Sequence, residues 1–149
     1  MGPGAVRVAI PAHAEQALIT LDTSALIGLL DRREADHARL RKAFLADGGP
    51  YMVPAWILAE ATYLVGRRLG AKTLDVLLGD LETGAFSVRC GDEDVARIRE
   101  LVSRYADLPL SVADAAVVAC AERSGGSVLS LDRDFAVVAK EGKITIHPA

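Results

Sequence analysis

Short apolar runs of strand type alternate with longer helical patterns along this chain of 149 residues. The strand-type runs cover residues 17–21, 86–88, 128–131 and 144–146. Helical patterns cover residues 24–30, 34–46, 56–68, 71–81, 92–105, 111–123 and 135–140. This alternation is typical of βαβ units, whose strands form a parallel sheet with helices on both faces. We therefore expect an α/β fold, a three-layer α/β/α sandwich around a mainly parallel sheet.

Length and composition support one domain with a substantial core. A chain of 149 residues with 51% hydrophobic residues fits a single globular domain rather than a disordered chain. We place this domain at residues 17–149. Residues 1–16, interrupted by Gly2, Pro3 and Pro11, are expected to form a flexible arm.

The sequence gives no sign of membrane insertion or secretion. No apolar run reaches the roughly 18 residues that a membrane span needs. Arg7 and Pro11 interrupt the apolar stretch that a secretory signal requires. A cytoplasmic location without membrane contact is therefore expected. Cys90 and Cys120 are too few for a disulfide framework, so we expect them to be reduced, buried thiols.

The charge balance weighs against a protein that reads DNA sequence. The formal net charge is -3 and the isoelectric point is about 5.6, whereas such proteins tend to be basic. An enzyme that gathers carboxylates in a metal site remains compatible with this balance. The basic pairs, Arg67 and Arg68 among them, are interpreted as solvated helix faces.

Two apolar strands end in an aspartate. Asp22 follows the first strand and Asp132 follows the strand at 128–131. Parallel sheets bind ligands beyond the carboxyl ends of their strands. Asp22 could instead cap the following helix. Of Asp132 and Asp134, one is expected to cap the helix at 135–140, and Asp132 is favoured as the site residue.

Glu60 and Asp114 are lone charges in apolar surroundings. Glu60 is the only charge between residues 51 and 65, in a helix that we expect to be mostly buried. Asp114 is the only charge between residues 111 and 120. A buried, unpaired carboxylate costs several kcal/mol, so each needs a cation, hydrogen-bond donors or a watery cleft. The alternatives are a solvated stripe for Glu60 and a first-turn interaction with the helix dipole for Asp114.

Carboxylates brought to one place repel each other, and a divalent cation removes that penalty. Oxygen ligands favour Mg²⁺ or Mn²⁺ over zinc. The three histidines are scattered, and the two cysteines lack a metal-binding spacing. The sequence thus predicts a Mg²⁺ or Mn²⁺ site suited to phosphate chemistry, held by Asp22, Glu60, Asp114 and Asp132.

Four segments together resemble a PIN domain, most of all the VapC-type toxins of toxin–antitoxin pairs. They are residues 21–26 (LDTSAL), 58–60 (LAE), 107–115 (DLPLSVADA) and 128–135 (VLSLDRDF). The resemblance covers roughly residues 17–147. It implies an α/β/α sandwich, a Mg²⁺- or Mn²⁺-dependent ribonuclease that hydrolyses phosphodiesters by activated water, a homodimer, and a cognate antitoxin protein that covers the site.

The resemblance also implies roles for individual residues. The catalytic and metal-binding acids fall on Asp22, Glu60, Asp114 and Asp132. The hydroxyl residue before the last acid falls on Ser130, where threonine is commoner, and Thr23 or Ser24 supplies the hydroxyl after the first acid. Independently of the resemblance, the positions of Asp134 and Arg133 beside Asp132 make them weaker candidates, Arg133 for holding the RNA backbone. Either Glu60 or Asp114 orients the attacking water, and the sequence leaves that choice open.

Two other functions remain to be weighed. A non-catalytic PIN-like or receiver-like regulatory domain would also cluster carboxylates at strand ends. A receiver domain usually carries a lysine after a late strand, whereas Lys140 lies in a predicted helix and Lys143 in a loop. A phosphatase of the haloacid dehalogenase kind would need a second aspartate two residues after Asp22, and position 24 is serine.

Overall fold

Five short strands form one fully parallel sheet in the computed structural model, which describes residues 17–148. The strands are β1 (Ile19–Leu21), β2 (Tyr51–Pro54), β3 (Ser87–Arg89), β4 (Ser127–Leu129) and β5 (Thr145–His147). Their order across the sheet is β3-β2-β1-β4-β5. The arm expected at residues 1–16 lies outside the described residues, as does residue 149.

In the described part of the chain, seven α-helices connect and cover the strands. They are α1 (Thr23–Leu30), α2 (His37–Asp47), α3 (Leu58–Leu69), α4 (Ala71–Thr83), α5 (Val95–Arg104), α6 (Val112–Arg123) and α7 (Phe135–Ala139). Short 3-10 turns at Ala55–Ile57 and Asp92–Asp94 lead into α3 and α5. The expected α/β/α sandwich around a parallel sheet is confirmed.

The strand β2 was missed by the sequence reasoning, which predicted four strands. All four of its residues are buried, and it lies between β1 and β3, with Met52 in register with Thr20 and Ser87. The run is fully apolar, so it lacks the alternation that marks a half-buried strand. It also passes into the next helix through Pro54, with no polar turn between them. The predicted helix begins only at residue 56, and residues 51–54 before it carry no separate signal of a strand.

Helix α6 lies at the centre of the molecule. It packs against β1, β2 and β4, and residues Ala115 through Ala121 are all buried. Five of these seven residues are alanine or cysteine, small enough to let the helix lie close to the sheet. Ser111 caps the helix by accepting the backbone N–H of Asp114 at 3.0 Å. The position of Asp114 is therefore fixed by a tightly packed element.

The two cysteines form a disulfide, so the expectation of reduced thiols is wrong. Cys90 follows β3, Cys120 lies in α6, and their Cα atoms are 5.9 Å apart. Two cysteines 30 residues apart in sequence give no indication that the sheet edge and this helix meet. Asp94 lies beside the two sulfurs but pairs with Arg123 at 2.7 Å. Sulfurs bonded to each other are not thiolate ligands, so this group is not a metal site.

Within residues 17–148, no helix is long and apolar enough to cross a membrane.

Candidate active site

Four carboxylates line one cavity of about 240 Å³ at the carboxyl edge of the sheet. Asp22 lies between β1 and α1, and Asp132 follows β4. Because β1 and β4 are parallel neighbours, their carboxyl ends lie at the same edge of the sheet. Glu60 reaches the cavity from the first turn of α3, and Asp114 reaches it from the first turn of α6. We call this group, with its cavity, the acidic cavity.

Asp22 is buried and fully engaged in hydrogen bonds. Its Oδ1 accepts the backbone N–H of Ala25 at 2.8 Å, so the residue does cap α1. The hydroxyl of Ser24 donates to Oδ1 at 2.8 Å, and the hydroxyl of Ser130 donates to Oδ2 at 2.5 Å. The capping alternative and the site assignment are therefore compatible, because one carboxylate has several acceptor positions.

The two serine hydroxyls also hold the chain that follows β4. Ser24 accepts the backbone N–H of Leu131 at 3.0 Å, and Ser130 accepts that of Asp132 at 2.9 Å. Each hydroxyl thus accepts a backbone proton and donates its own proton to Asp22. The carboxylate of Asp22 is fixed relative to Asp132 by this pair of relays. Thr23, the third predicted hydroxyl residue, lines the cavity.

Burial raises the pKa of Asp22 from 3.8 to about 6, although the hydrogen bonds from Ser130, Ala25 and Ser24 partly offset this rise. The nearby negative charge of Asp132 raises the pKa further. A carboxylate with such a pKa carries its charge at neutral pH at a cost in folding free energy. Carboxylates with a raised pKa are more frequent at functional sites than among structural acids.

Asp114 shows the same effect. Burial raises the pKa of this half-buried acid, and the negative charges of Asp132 and Glu60 raise it further. The hydrogen bond with Ser111 acts in the opposite direction. The acids of the cavity therefore interact electrostatically, as expected for carboxylates gathered without a cation.

The surroundings of Glu60 differ from the prediction. The residue is exposed, and in its helix α3 only Ala61 and Val65 are buried, while Tyr63 is 62% exposed. The expectation of a mostly buried helix is therefore wrong, because the apolar stretch belongs partly to β2. Glu60 lies on a solvent-exposed stripe of α3, as the alternative interpretation predicted. This stripe also lines the acidic cavity.

The two weaker candidates lie outside the acidic cavity. Asp134 is exposed and makes no side-chain hydrogen bond at the beginning of α7. Its backbone N–H donates instead to Oδ1 of Asp132 at 2.9 Å. The expectation that one of these two acids caps α7 is therefore not met by Asp134. Arg133 is exposed and lines a neighbouring cavity.

One basic residue in the acidic cavity was missed from the sequence. Arg68, interpreted there as part of a solvated basic pair, lines the cavity beside the carboxylates. Glu60, Leu64 and Arg68 follow each other at intervals of four on α3, and all three line the cavity. The helical spacing from Glu60 was the available signal, since residues at i and i+4 share a helix face.

A parallel α/β/α sandwich with acidic side chains at the carboxyl edge of its sheet agrees with the resemblance drawn from the sequence. The family model described as PIN domain matches residues 19–141, and the chain belongs to this family. This chain is 33% identical to Ribonuclease VapC26 of Mycobacterium tuberculosis over 115 aligned residues. The alignment covers 76% of this chain and 85% of VapC26. The interpretation as a PIN-domain ribonuclease of the VapC type is thereby confirmed.

A solved structure gives the same fold. The crystal structure of Mycobacterium tuberculosis VapC20, described as a toxin that cleaves the sarcin–ricin loop, matches with a TM-score of 0.71. The match covers 80% of this chain and 94% of that chain, at 22% sequence identity. At this identity the likeness concerns the fold.

Proposed function

We propose that the acidic cavity holds Mg²⁺ or Mn²⁺ and hydrolyses RNA phosphodiester bonds, with Asp22, Glu60, Asp114 and Asp132 as ligands and catalytic groups. The observation that carries the proposal is the convergence of four carboxylates, from four separate segments of the chain, on one cavity. The described ion pairs of this protein give none of these four acids a basic partner within 4.0 Å.

The donor set fits such an ion. All four candidate side chains offer carboxylate oxygens, the ligands that Mg²⁺ and Mn²⁺ prefer. Both oxygens of Asp22 accept hydrogen bonds from Ala25, Ser24 and Ser130, which hold this carboxylate in one orientation toward the cavity. A bound cation would also offset the burial cost that raises the pKa of Asp22 and Asp114.

The ion would supply a bound water of lowered pKa and would neutralise charge on the phosphoryl oxygens. The protein's own residues do the rest. Ser24 and Ser130 hold the carboxylate of Asp22 in one orientation. Glu60 or Asp114 orients the attacking water and accepts its proton. Arg68, at the cavity wall, holds the phosphate backbone of the substrate next to these acids.

The biological setting is proposed from the relatives. The names of VapC26, a ribonuclease, and VapC20, a toxin, support an RNA substrate and a role as the toxin of a toxin–antitoxin pair. We accordingly propose a cognate antitoxin protein, a homodimeric state, a cytoplasmic location and no membrane contact. We also retain residues 17–149 as a single PIN-like domain and residues 1–16 as an arm.

The test is cleavage of a structured RNA by the purified protein with Mn²⁺, with Mg²⁺ and with EDTA. Cleavage is expected with either ion, and EDTA or Asp22→Asn is expected to abolish it. Asp75→Asn is the matched control, because Asp75 is exposed on α4, outside the acidic cavity. Circular dichroism checks that each variant is folded. Cleavage that survives both EDTA and Asp22→Asn would overturn the proposal.

A calorimetric titration with Mn²⁺ separates the enzyme from a non-catalytic PIN-like or receiver-like domain. The enzyme is expected to bind Mn²⁺, and Asp22→Asn to weaken that binding. A folded protein that neither binds Mn²⁺ nor cleaves RNA would favour the non-catalytic domain.

A further inference from the structure

A second cavity, of about 560 Å³, adjoins the acidic cavity and shares Asp132 with it. We propose that this second cavity, here called the base cavity, receives a nucleobase of the RNA strand next to the cleaved phosphate. The inference rests on the proposed function, because it places the substrate of the acidic cavity. Its support comes from the walls, the free strand edge and the rim of the base cavity.

The walls of the base cavity are largely apolar, with Ser130 and Thr145 as polar members. They are formed by Leu131, by Ala136 and Ala139 of α7, and by Ile144 and Ile146 at β5. The small alanines leave the space open, and the branched side chains form flat aliphatic surfaces. Sites for small organic ligands have volumes of about 300–1,000 Å³ and mostly apolar linings. An unstacked base has two apolar faces and needs such a surface to replace its neighbours in the strand.

The free edge of β5 adds polar groups. Among the described strands, β5 pairs only with β4 and lies at the edge of the sheet. Thr145 N–H donates to Gly126 at 2.7 Å, and the carbonyl of His147 accepts from Ser130 at 2.9 Å. Successive residues of a strand direct their peptide groups to opposite sides, so the N–H and C=O of Ile146 face away from β4. One donor and one acceptor at this spacing suit the edge of a nucleobase.

Two basic residues line the rim of the base cavity, beside the shared acid Asp132. Arg39 of α2 and the exposed Arg133 line the cavity, on a protein whose net charge is negative. The side chain of Arg39 is 52% exposed and contacts Asp36 at 3.2 Å, so it can turn toward a phosphate at little cost. Two guanidinium groups beside an apolar cavity match a nucleotide, which joins an apolar base to a charged phosphate. An apolar peptide segment would offer no charged group to either arginine.

The experiment is a nuclear magnetic resonance titration of the full, ¹⁵N-labelled chain in EDTA. The four nucleoside 5′-monophosphates are added in turn, and ribose 5-phosphate is added as the ligand without a base. We expect the mononucleotides to shift the amide resonances of Ala136, Ala139 and Ile146. At least one base should bind tenfold or more tightly than ribose 5-phosphate.

The matched variants fill the cavity or leave it open. Ala136→Trp places a large side chain in the base cavity from an exposed position of α7, and is expected to weaken binding at least tenfold. Ala96→Trp makes the same change at an exposed position of α5, away from the cavity, and is expected to bind as the unchanged chain does. Amide spectra show directly whether both variants are folded.

Three results would overturn the base cavity: nucleotide shifts confined to other residues, equal binding of ribose 5-phosphate, or unchanged binding by Ala136→Trp. If the cavity instead binds a protein partner, the nucleotide shifts should be confined to residues outside it. The titration contains no metal ion and needs no hydrolysis, so it is separate from the RNA cleavage test. Shifts without cleavage would overturn the proposed function and leave the base cavity as a nucleotide-binding site without hydrolysis. Cleavage without shifts would overturn the base cavity alone.

Discussion

The two ends of helix α6 carry acids in opposite electrostatic surroundings. Asp114, at its beginning, lies in the acidic cavity among other carboxylates. Glu122, near its end, accepts two hydrogen bonds from Arg97, at 2.9 and 2.7 Å. Arg97 also contacts Glu141 at 2.9 Å, and Arg104 contacts Glu141 at 2.5 Å. We call the group of Arg97, Glu100, Arg104, Glu122 and Glu141 the paired cluster.

The pKa shifts of Glu141, in the paired cluster, and of Asp22, in the acidic cavity, have opposite signs. Hydrogen bonds from Tyr105, Arg104 and Arg97 lower the pKa of Glu141 from 4.5 to about 2, against the smaller effect of burial. Burial raises the pKa of Asp22 to about 6. Charged Glu141 therefore stabilises the fold, whereas charged Asp22 reduces its stability. Residue type alone therefore does not distinguish a structural acid from a functional one. The groups that contact its carboxylate oxygens make the distinction.

The largest expected effect is on the reaction rate. Of Glu60→Gln and Asp114→Asn, the variant that removes the water-orienting carboxylate should lower kcat for RNA cleavage by about 10²–10⁴-fold, the usual contribution of general base catalysis. Glu122→Gln makes a similar change in the paired cluster and should leave kcat within about twofold. Steady-state cleavage rates at saturating RNA measure all three. A loss of rate in Glu122→Gln as large as in the cavity variants would remove the functional distinction between the two ends of α6.

The next effect concerns the disulfide, which joins α6 to the residue after β3. It closes a loop of 30 residues and, in the chain-entropy account, contributes about 2–4 kcal/mol to the free energy of unfolding. Cys90→Ser should therefore lower the urea midpoint while kcat changes little, because neither cysteine lines the acidic cavity. Thiol titration of the denatured, unreduced chain provides the control. Two reactive thiols in that titration would contradict the disulfide itself.

Much of the fold could be predicted because the apolar patterns were strong. The helical periods of α4, α5 and α6 marked their elements to within a few residues, and β1 and β4 were marked by apolar runs that end in aspartate. The strand β2 could not be predicted, since it is buried on both faces and shows no alternation. The disulfide could not be predicted either, because it depends on which elements meet in space.

The candidate site was predicted at the level of its acids but not of their surroundings. All four carboxylates could be selected from the sequence, because they follow strand ends or are lone charges in apolar segments. Their catalytic and metal-binding roles remain proposals. The open stripe of Glu60 and the place of Arg68 on it depend on how α3 is rotated against the sheet. The serine relays depend on the distance between two chain segments, 106 residues apart at Ser24 and Ser130. Neither the rotation of α3 nor the distance between these two segments can be predicted from the local spacing of residues.

A smaller effect tests the paired cluster through pH. The pKa of Glu141 is lower in the folded than in the unfolded chain, so its stabilising contribution is present above about pH 4.5 and is lost as pH falls toward about 2. The side chain is 15% exposed and accepts charged hydrogen bonds. Glu141→Gln should therefore cost about 1–3 kcal/mol at pH 7. It should cost much less near pH 3. Urea unfolding at both pH values measures the difference, and an equal loss at both would show that packing rather than charge accounts for the contribution.

The smallest expected effect has the opposite sign. The pKa of Asp22 is higher in the folded than in the unfolded chain, so the metal-free fold loses stability as pH rises from 3.8 to about 6 and stays destabilised above it. In EDTA at pH 7.5, Asp22→Asn should raise the stability by about 1–2 kcal/mol, less than the full shift of about two pKa units implies. The gain is reduced because the amide keeps only one acceptor oxygen for Ala25 and must donate to Ser130. Thermal unfolding in EDTA at pH 4 and pH 7.5 measures it, with the two proteins converging at pH 4. A lower Tm for Asp22→Asn at pH 7.5 would mean that the hydrogen bonds to Asp22 outweigh its burial, and the acidic cavity would then resemble the paired cluster in its effect on stability.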